Sequence, residues 1–263
     1  VKVDWGDGTA IETLTTAVHT FTNNSGYHTV KFKLDSGTYF KPSMQNNATH
    51  RLKVISIGPM PVSMSCDFNN FARGCSNLVT FDAAGCSTAH SPKFSMAFRT
   101  CTSLLSFPYI DASDVDSFYI GWEGCSSLTR FPLLDTSNVT RFESSFANCS
   151  NLKDFPQFDT SSATTIARIA SSCTQIASFP WIDTSGCLGT STDNWIGCTL
   201  ITSFPLLDFK NTSYNECWRN CNSLTDFPAN AFDSTPITEG TGHGRSWSGA
   251  WTSCALTAQS IEN

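Results

Sequence analysis

Twelve cysteines in 263 residues are the first feature able to do chemistry, since thiols can cross-link, hold a metal or attack a substrate. Eight of them, Cys75, Cys101, Cys125, Cys149, Cys173, Cys198, Cys221 and Cys254, recur at intervals of 26, 24, 24, 24, 25, 23 and 33 residues. Zinc needs close groups such as C-x-x-C. Cys217 and Cys221 stand four apart with no second pair nearby, so no metal is expected. Three residues after each of the first seven column cysteines comes Leu or Ile, and six after comes Phe, from Phe81 to Phe227. A Cys between an inward Phe and an inward Leu behaves as a small buried hydrophobe. Members of one column point the same way from successive repeats, whereas a disulfide needs two Cβ atoms converging to about 3.5–4.5 Å. The column therefore reads as a ladder of free thiols. The off-column Cys66, Cys86, Cys187 and Cys217 are better disulfide candidates, with no pairing derivable.

A second column is acidic: Asp111, Asp135, Asp159, Asp183 and Asp208. Stacked carboxylates repel unless backbone N–H groups or a cation satisfy them. A turn in which Asp bonds its own chain two residues on is favoured over calcium between repeats. Asp4 and Asp7 read the same way. His19, His28, His50, His90 and His243 form no H-E-x-x-H and stand near no G-x-S-x-G. Gly240-Thr-Gly242-His-Gly244 lacks the spacing and the strand–helix context of a phosphate loop; it reads as an insertion offering His243 and Arg245. An acid/base pair of carboxylates is approached only by Asp154 with Asp159. No catalytic residue and no cofactor are indicated, and the chain reads as non-enzymatic.

Recognition is better served than catalysis. Six of the column Phe residues are followed by Pro, and after Pro come Tyr109, Leu133, Gln157, Trp181, Leu206 and Ala229. The next column, Ile110, Leu134, Phe158, Ile182 and Leu207, is uniformly apolar and so faces inward, which turns the post-Pro column outward. Two places before Pro lies a polar strip: Ser106, Arg130, Asp154, Ser178, Ser203 and Asp226. Exposed aromatics beside short polar groups suit sugar rings or another protein's surface. Tyr109, Arg130, Asp154, Trp181, His243 and Arg245 are the candidate ligand-binding residues.

Stacked repeats must position these columns, because one unit cannot bury its own apolar face and several together build a continuous core. Phe142, Phe146, Cys149 and Leu152 sit at i, i+4, i+7 and i+10, the spacing of one face of a helical turn. A very short parallel strand is expected at about Ser127 to Phe131 and its equivalents, cut off by Pro, which cannot donate to a ladder. The fold class is a repeat solenoid, leucine-rich-repeat-like, of about 24 residues per rung. Composition agrees: 20 Phe supply wedges for each rung, and only 14% of residues are charged against about 25% in ordinary domains. The net charge of −6 gives no basic surface for nucleic acid, and no apolar run approaches the roughly 20 residues of a membrane span.

Residues 1–40 pattern differently. Val1-Lys-Val-Asp4-Trp5-Gly6-Asp7-Gly8 is a strand entering a hairpin turn; His19–Phe21 and Tyr27–Leu34 add two more strands to an N-terminal antiparallel segment. Residues 41–65 read as a connector with a first rung at Leu52–Ile57, and 66–263 as the repeats. With no initiator Met or signal peptide, the chain reads as a piece of something longer.

Phe131-Pro-Leu-Leu-Asp135-Thr-Ser-Asn-Val139-Thr-Arg-Phe142-Glu-Ser-Ser-Phe146-Ala-Asn-Cys149-Ser-Asn-Leu152 resembles the BspA-like leucine-rich repeats of bacterial surface proteins, Mycoplasma lipoproteins and phage tail proteins. Phe stands where that family often has Met, and the units around 82–96, 184–197 and 229–250 are irregular. Trp5-Gly-Asp-Gly-Thr9, His19-Thr-Phe21 and Gly26-Tyr-His-Thr-Val-Lys-Phe32 resemble half of a PKD-type β-sandwich. The resemblance implies an extracellular, cell-surface or virion module that binds a host-cell or extracellular protein or glycan receptor. Self-association as a structural spacer is the alternative.

Overall fold

In a computed structural model the chain is a parallel stack of short rungs begun by a small sheet. The structure describes residues 1–13, 26–34, 39–44, 52–58, 65–83, 93–187, 191–207, 213–228 and 248–257. Seven strands occur among them: β1 (Lys2–Asp4), β2 (Glu12–Thr13), β3 (His28–Lys33), β4 (Tyr39–Phe40), β5 (Leu52–Ile57), β6 (Ser65–Cys66) and β7 (Thr80–Asp82). β1 pairs antiparallel with β2 and with β3, as the hairpin signal predicts. The first-rung strand at Leu52–Ile57 is found as β5.

β3 then runs parallel to β5, β5 parallel to β7, and β4 parallel to β6. The sheet order β2-β1-β3-β5-β7 therefore crosses both boundaries drawn at 40 and 65. Residues 28–34 and 39–44 act as the bottom of the stack, and β1 and β2 cover its first edge. His19–Phe21, read as a strand, lies outside the described residues.

Past β7 the same line of pairing continues as single parallel bridges, Thr80 with Ser106 and Ser106 with Arg130. The very short strand expected at about Ser127 to Phe131 shrinks to the one bridging residue Arg130. Proline is the reason. Pro108 and Pro132 follow their Phe and remove the next donor, whereas Phe81 is followed by Asp82 and lies inside a three-residue strand.

The expected helical turn is corrected. No α-helix occurs among the described residues. Where Phe142, Phe146 and Cys149 suggest one helical face, the chain makes two successive β-turns. Ser145 N–H donates to Phe142 O (3.1 Å) and Cys149 N–H to Phe146 O (3.0 Å). The third residue of each turn has φ > 0, Ser144 at 53° and Asn148 at 62°, the type II pattern. A helix would keep its N–H groups within the segment; here every second one reaches the next rung. Phe118, Ile120, Trp122 and Gly124 donate to Arg141, Glu143, Ser145 and Ala147 at 2.8–2.9 Å. The turns thus form a parallel ladder of their own.

Between the ladders lies an aromatic core. Phe107 stacks on Phe131 (5.1 Å between centroids, 9°), Phe179 on Phe204 (5.5 Å, 9°) and Phe204 on Phe227 (5.9 Å, 3°). A second file runs Phe98, Trp122, Phe146, with Trp122 and Phe146 5.4 Å apart at 7°. The 24-residue spacing of Phe in the sequence is the spacing of these rings.

Left-handed backbone carries strain where the residue is β-branched. Thr100 sits at φ 59° in the column that holds Gly74, Gly124 and Gly197 in other rungs, all with φ between 73° and 78°. Thr100→Gly is expected to raise stability by about 1 kcal/mol, a rise in Tm of about 2–4 °C, in a thermal melt. A lower Tm would show that the Thr100 hydroxyl, which donates to Arg99 O at 2.7 Å, outweighs the strain.

Candidate functional site

The thiols are structural. All eight column cysteines hydrogen-bond the rung before: Cys125 Sγ to Phe98 O (3.1 Å), Cys149 to Trp122 O (3.2 Å), Cys173 to Phe146 O (3.1 Å) and so on to Cys254 with Trp218 O (3.0 Å). Phe98 O also accepts Cys101 N–H at 3.1 Å, so one carbonyl closes a turn and ties two rungs. Desolvation pushes the Cys125 and Cys173 thiols up to about 12, far from the thiolate a nucleophile or metal ligand needs. The off-column disulfide candidates are corrected: Cys66, Cys187 and Cys217 are buried and form no disulfide, Cys187 and Cys217 bonding Ala163 O and Ser191 O. All three are packed in the core. Cys86 lies outside the described residues.

The acidic column is a set of turns, as predicted. Asp135 Oδ1 accepts Ser137 N–H (3.1 Å) and Oγ–H (2.7 Å); Asp111 and Asp159 hold Ser113 and Ser161 likewise, and Asp183 accepts Ser185 N–H at 2.8 Å. The two bonds from Ser161 hold the Asp159 carboxyl below its ordinary value. An acid kept ionised by its own turn is a poor proton donor, which takes Asp159 away from any pairing with Asp154. Asp7 closes the same turn on Thr9, and Asp4 accepts Gly6 N–H. Asp208 lies outside the described residues.

The recognition columns stand where alternation puts them. Ile110, Leu134, Phe158, Ile182 and Leu207 are all at most 3% exposed. One residue earlier, Tyr109 is 68% exposed, Leu133 62%, Trp181 54% and Leu206 54%, with Gln157 exposed among them. The Pro before each fixes φ, so the following side chain is turned out while Phe before it and the apolar residue after it point in. Four of the nine exposed large apolar side chains of the described residues thus share one column. Ser106, Arg130, Asp154, Ser178, Ser203 and Asp226 form an exposed strip alongside.

Of the candidate binding residues, Tyr109, Arg130, Asp154 and Trp181 come from four consecutive rungs and are all exposed. Tyr109 and Trp181 are three rungs apart, about 14 Å at the usual strand spacing. Arg130 and Asp154 are neighbours on adjacent rungs, joined by Lys153 N–H donating to Thr129 O at 3.3 Å. Leu105, 50% exposed beside Ser106, is a further exposed apolar side chain that column reading did not pick out, because its equivalents Thr129 and Lys153 are polar. His243 and Arg245 lie outside the described residues.

No model of a known protein family matches the chain, and no curated protein matches it. Among solved structures, a leucine-rich repeat protein from Bacteroides ovatus overlays with a TM-score of 0.30 at 13% identity, over 93% of this chain and 82% of that one. A likeness of that size assigns neither family nor function.

Proposed function

We propose that the chain is a non-catalytic recognition module, a BspA-like leucine-rich-repeat solenoid preceded by a PKD-like β segment, that acts outside the cell on a bacterial surface or a phage tail fibre. The observation that supports this reading is the outward column Tyr109, Leu133, Gln157, Trp181, Leu206. The rungs bury every other apolar column, yet this one is kept in solvent beside a strip of polar side chains. An apolar stripe rimmed by polar groups marks a contact surface. Aromatic rings with polar neighbours fit a glycan or the surface of a receptor protein, and the rigid ladder presents them without an ordering cost.

Fluorescently labelled protein is expected to bind a subset of bacterial or host cells saturably. Tyr109→Ala with Trp181→Ala is expected to weaken that binding by at least about tenfold with an unchanged thermal melt, since both side chains are exposed. Unaltered cell binding by the double variant would sink the assignment of this face. Stable trimers or filaments of the wild-type chain that dissociate in the same variant would favour the structural spacer instead.

A further inference from the structure

A second surface lies about eleven residues further along each rung, after the Asp turn, where Lys93, Ser117, Arg141 and Thr165 pair as successive parallel bridges. Here two long cations flank a small residue. Lys93 and Arg141 are two rungs apart, about 10 Å of backbone, with Ser117 between them. The gap is a depression of about 270 Å3 lined by Asn69, Lys93, Ser95, Asp116, Ser117, Thr140 and Arg141. Sites for drug-sized molecules run to roughly 300–1,000 Å3, so this one suits a single small ring.

Its groups are fixed in place. Arg141 donates through Nε (3.0 Å) and Nη2 to Glu143 and lies over the Tyr119 ring at 4.5 Å. Ser117, only 7% exposed, has its Oγ 3.2 Å from that of Ser95. Asp116 Oδ1 is buried with no hydrogen-bond partner, a costly arrangement that a ligand donor would relieve. An inorganic anion without an O–H group, such as sulfate or chloride, cannot supply that donor and is repelled by the carboxylate. A neutral polyol leaves Lys93 without a counter-charge and the Arg141 N–H groups not taken by Glu143 without an anionic acceptor.

We propose that this depression binds a saccharide unit bearing a carboxylate, a uronic or sialic acid residue. Its carboxylate lies between Lys93 and Arg141, and its hydroxyls donate to Asp116 and exchange hydrogen bonds with Ser95, Ser117 and Thr140. The site shares no residue with the post-Pro column, so the two stand or fall separately.

The test is an amide-resolved NMR titration of the whole chain with glucuronic acid and with N-acetylneuraminic acid, using glucose and acetate as controls. Expected are saturable shifts at Ser95, Asp116, Ser117 and Thr140 with a millimolar Kd for at least one acid sugar, weakened by salt. Lys93→Gln and Asp116→Asn are each expected to weaken binding by about tenfold while shifts elsewhere in the spectrum stay in place. Glucose binding equally well would overturn the role of the cations. Acetate binding equally well would overturn that of Asp116 and the hydroxyls. No saturable shift at these four amides with either acid sugar, or an unchanged Kd in both variants, would overturn the site.

Discussion

Above pH 9 the protein is expected to lose stability steeply and to unfold between about pH 10 and 12. The cause is the thiol ladder. Burial in an apolar column disfavours the thiolate, so Cys125, Cys173, Cys187 and Cys217 are each pushed from an ordinary value of 9.0 up to about 12. Cys101, Cys149 and Cys198 move in the same direction for the same reason. Below pH 9 both folded and unfolded chains keep these protons, and the thiols contribute no pH dependence. Between pH 9 and 12 the unfolded chain releases them while the folded chain holds them, so the folded state binds more protons and stability falls as pH rises. Each such thiol costs about 1.4 kcal/mol per pH unit, and four together about 5–6 kcal/mol. A domain stable by about 5–15 kcal/mol is exhausted within one to three units. Thermal melts from pH 7 to 12, with thiol alkylation as a second readout, should show a flat region and then a collapse that exposes the cysteines together. Cys125→Ser should lower the slope by one proton. A Tm unchanged at pH 10.5 would show that the ladder does not hold its protons as its burial requires.

Much of the stack is legible in the sequence because its core is built from identical columns. The Cys, Phe and Leu spacing states which residues face inward, and the described members of the first seven repeats are buried, except Phe131, which is half-buried. The conversion of strand to single bridge is also legible in Pro, since Phe81 without it keeps a strand. What the spacing cannot separate is a helical turn from two linked β-turns, because both place apolar side chains at i, i+4 and i+7. The discriminating signal sits one residue before each Cys: Gly74, Thr100, Gly124, Asn148, Ser172, Gly197, Asn220 and Ser253. Gly and Asn recur there because the backbone is left-handed, at φ between 59° and 78°. The equivalent column four residues earlier, Asn70, Met96, Ile120, Ser144, Arg168, Asp193, Glu216 and Gly249, is left-handed too, but Met, Ile, Arg and Glu hide that conformation from the sequence in half of its rungs.

The two surfaces differ in the same way. The post-Pro column is legible because Pro marks the residue that turns outward. The depression between Lys93 and Arg141 is not, since its residues are unlike one another and come from rungs of 26 and 24 residues, with Lys93 and Ser95 inside the irregular unit at 82–96. The N-terminal segment fails for a third reason. Alternation in Tyr27–Leu34 marks a strand but says nothing of direction, and the parallel pairing of β3 with β5 follows only from where the rungs lie.

Trp122→Ala is expected to destabilise the protein by about 4–5 kcal/mol, and Trp122→Phe by less than about 1.5 kcal/mol. Trp122 is fully buried and is the junction of the aromatic core. It stacks parallel to Phe98 (6.3 Å, 5°) and Phe146 (5.4 Å, 7°) and meets Phe107 and Phe131 edge-on at 5.0 and 4.6 Å. Alanine removes the whole indole from between two rungs whose backbones are held at fixed spacing by the ladder on either side. The neighbours cannot close the gap without breaking those bonds, so the cavity penalty adds to the lost burial. Phenylalanine keeps the ring in a file whose members above and below are already Phe. It also removes the indole Nε1–H, which is buried with no hydrogen-bond partner, and so offsets part of the lost area. Chemical denaturation of the three chains separates the two causes. A Trp122→Phe loss as large as that of alanine would mean that the indole edge, not the stacked ring, holds the rungs together. A loss below about 2 kcal/mol for alanine would mean that the rungs can close on one another, and that the hydrogen-bond ladders rather than the ring stack set their spacing.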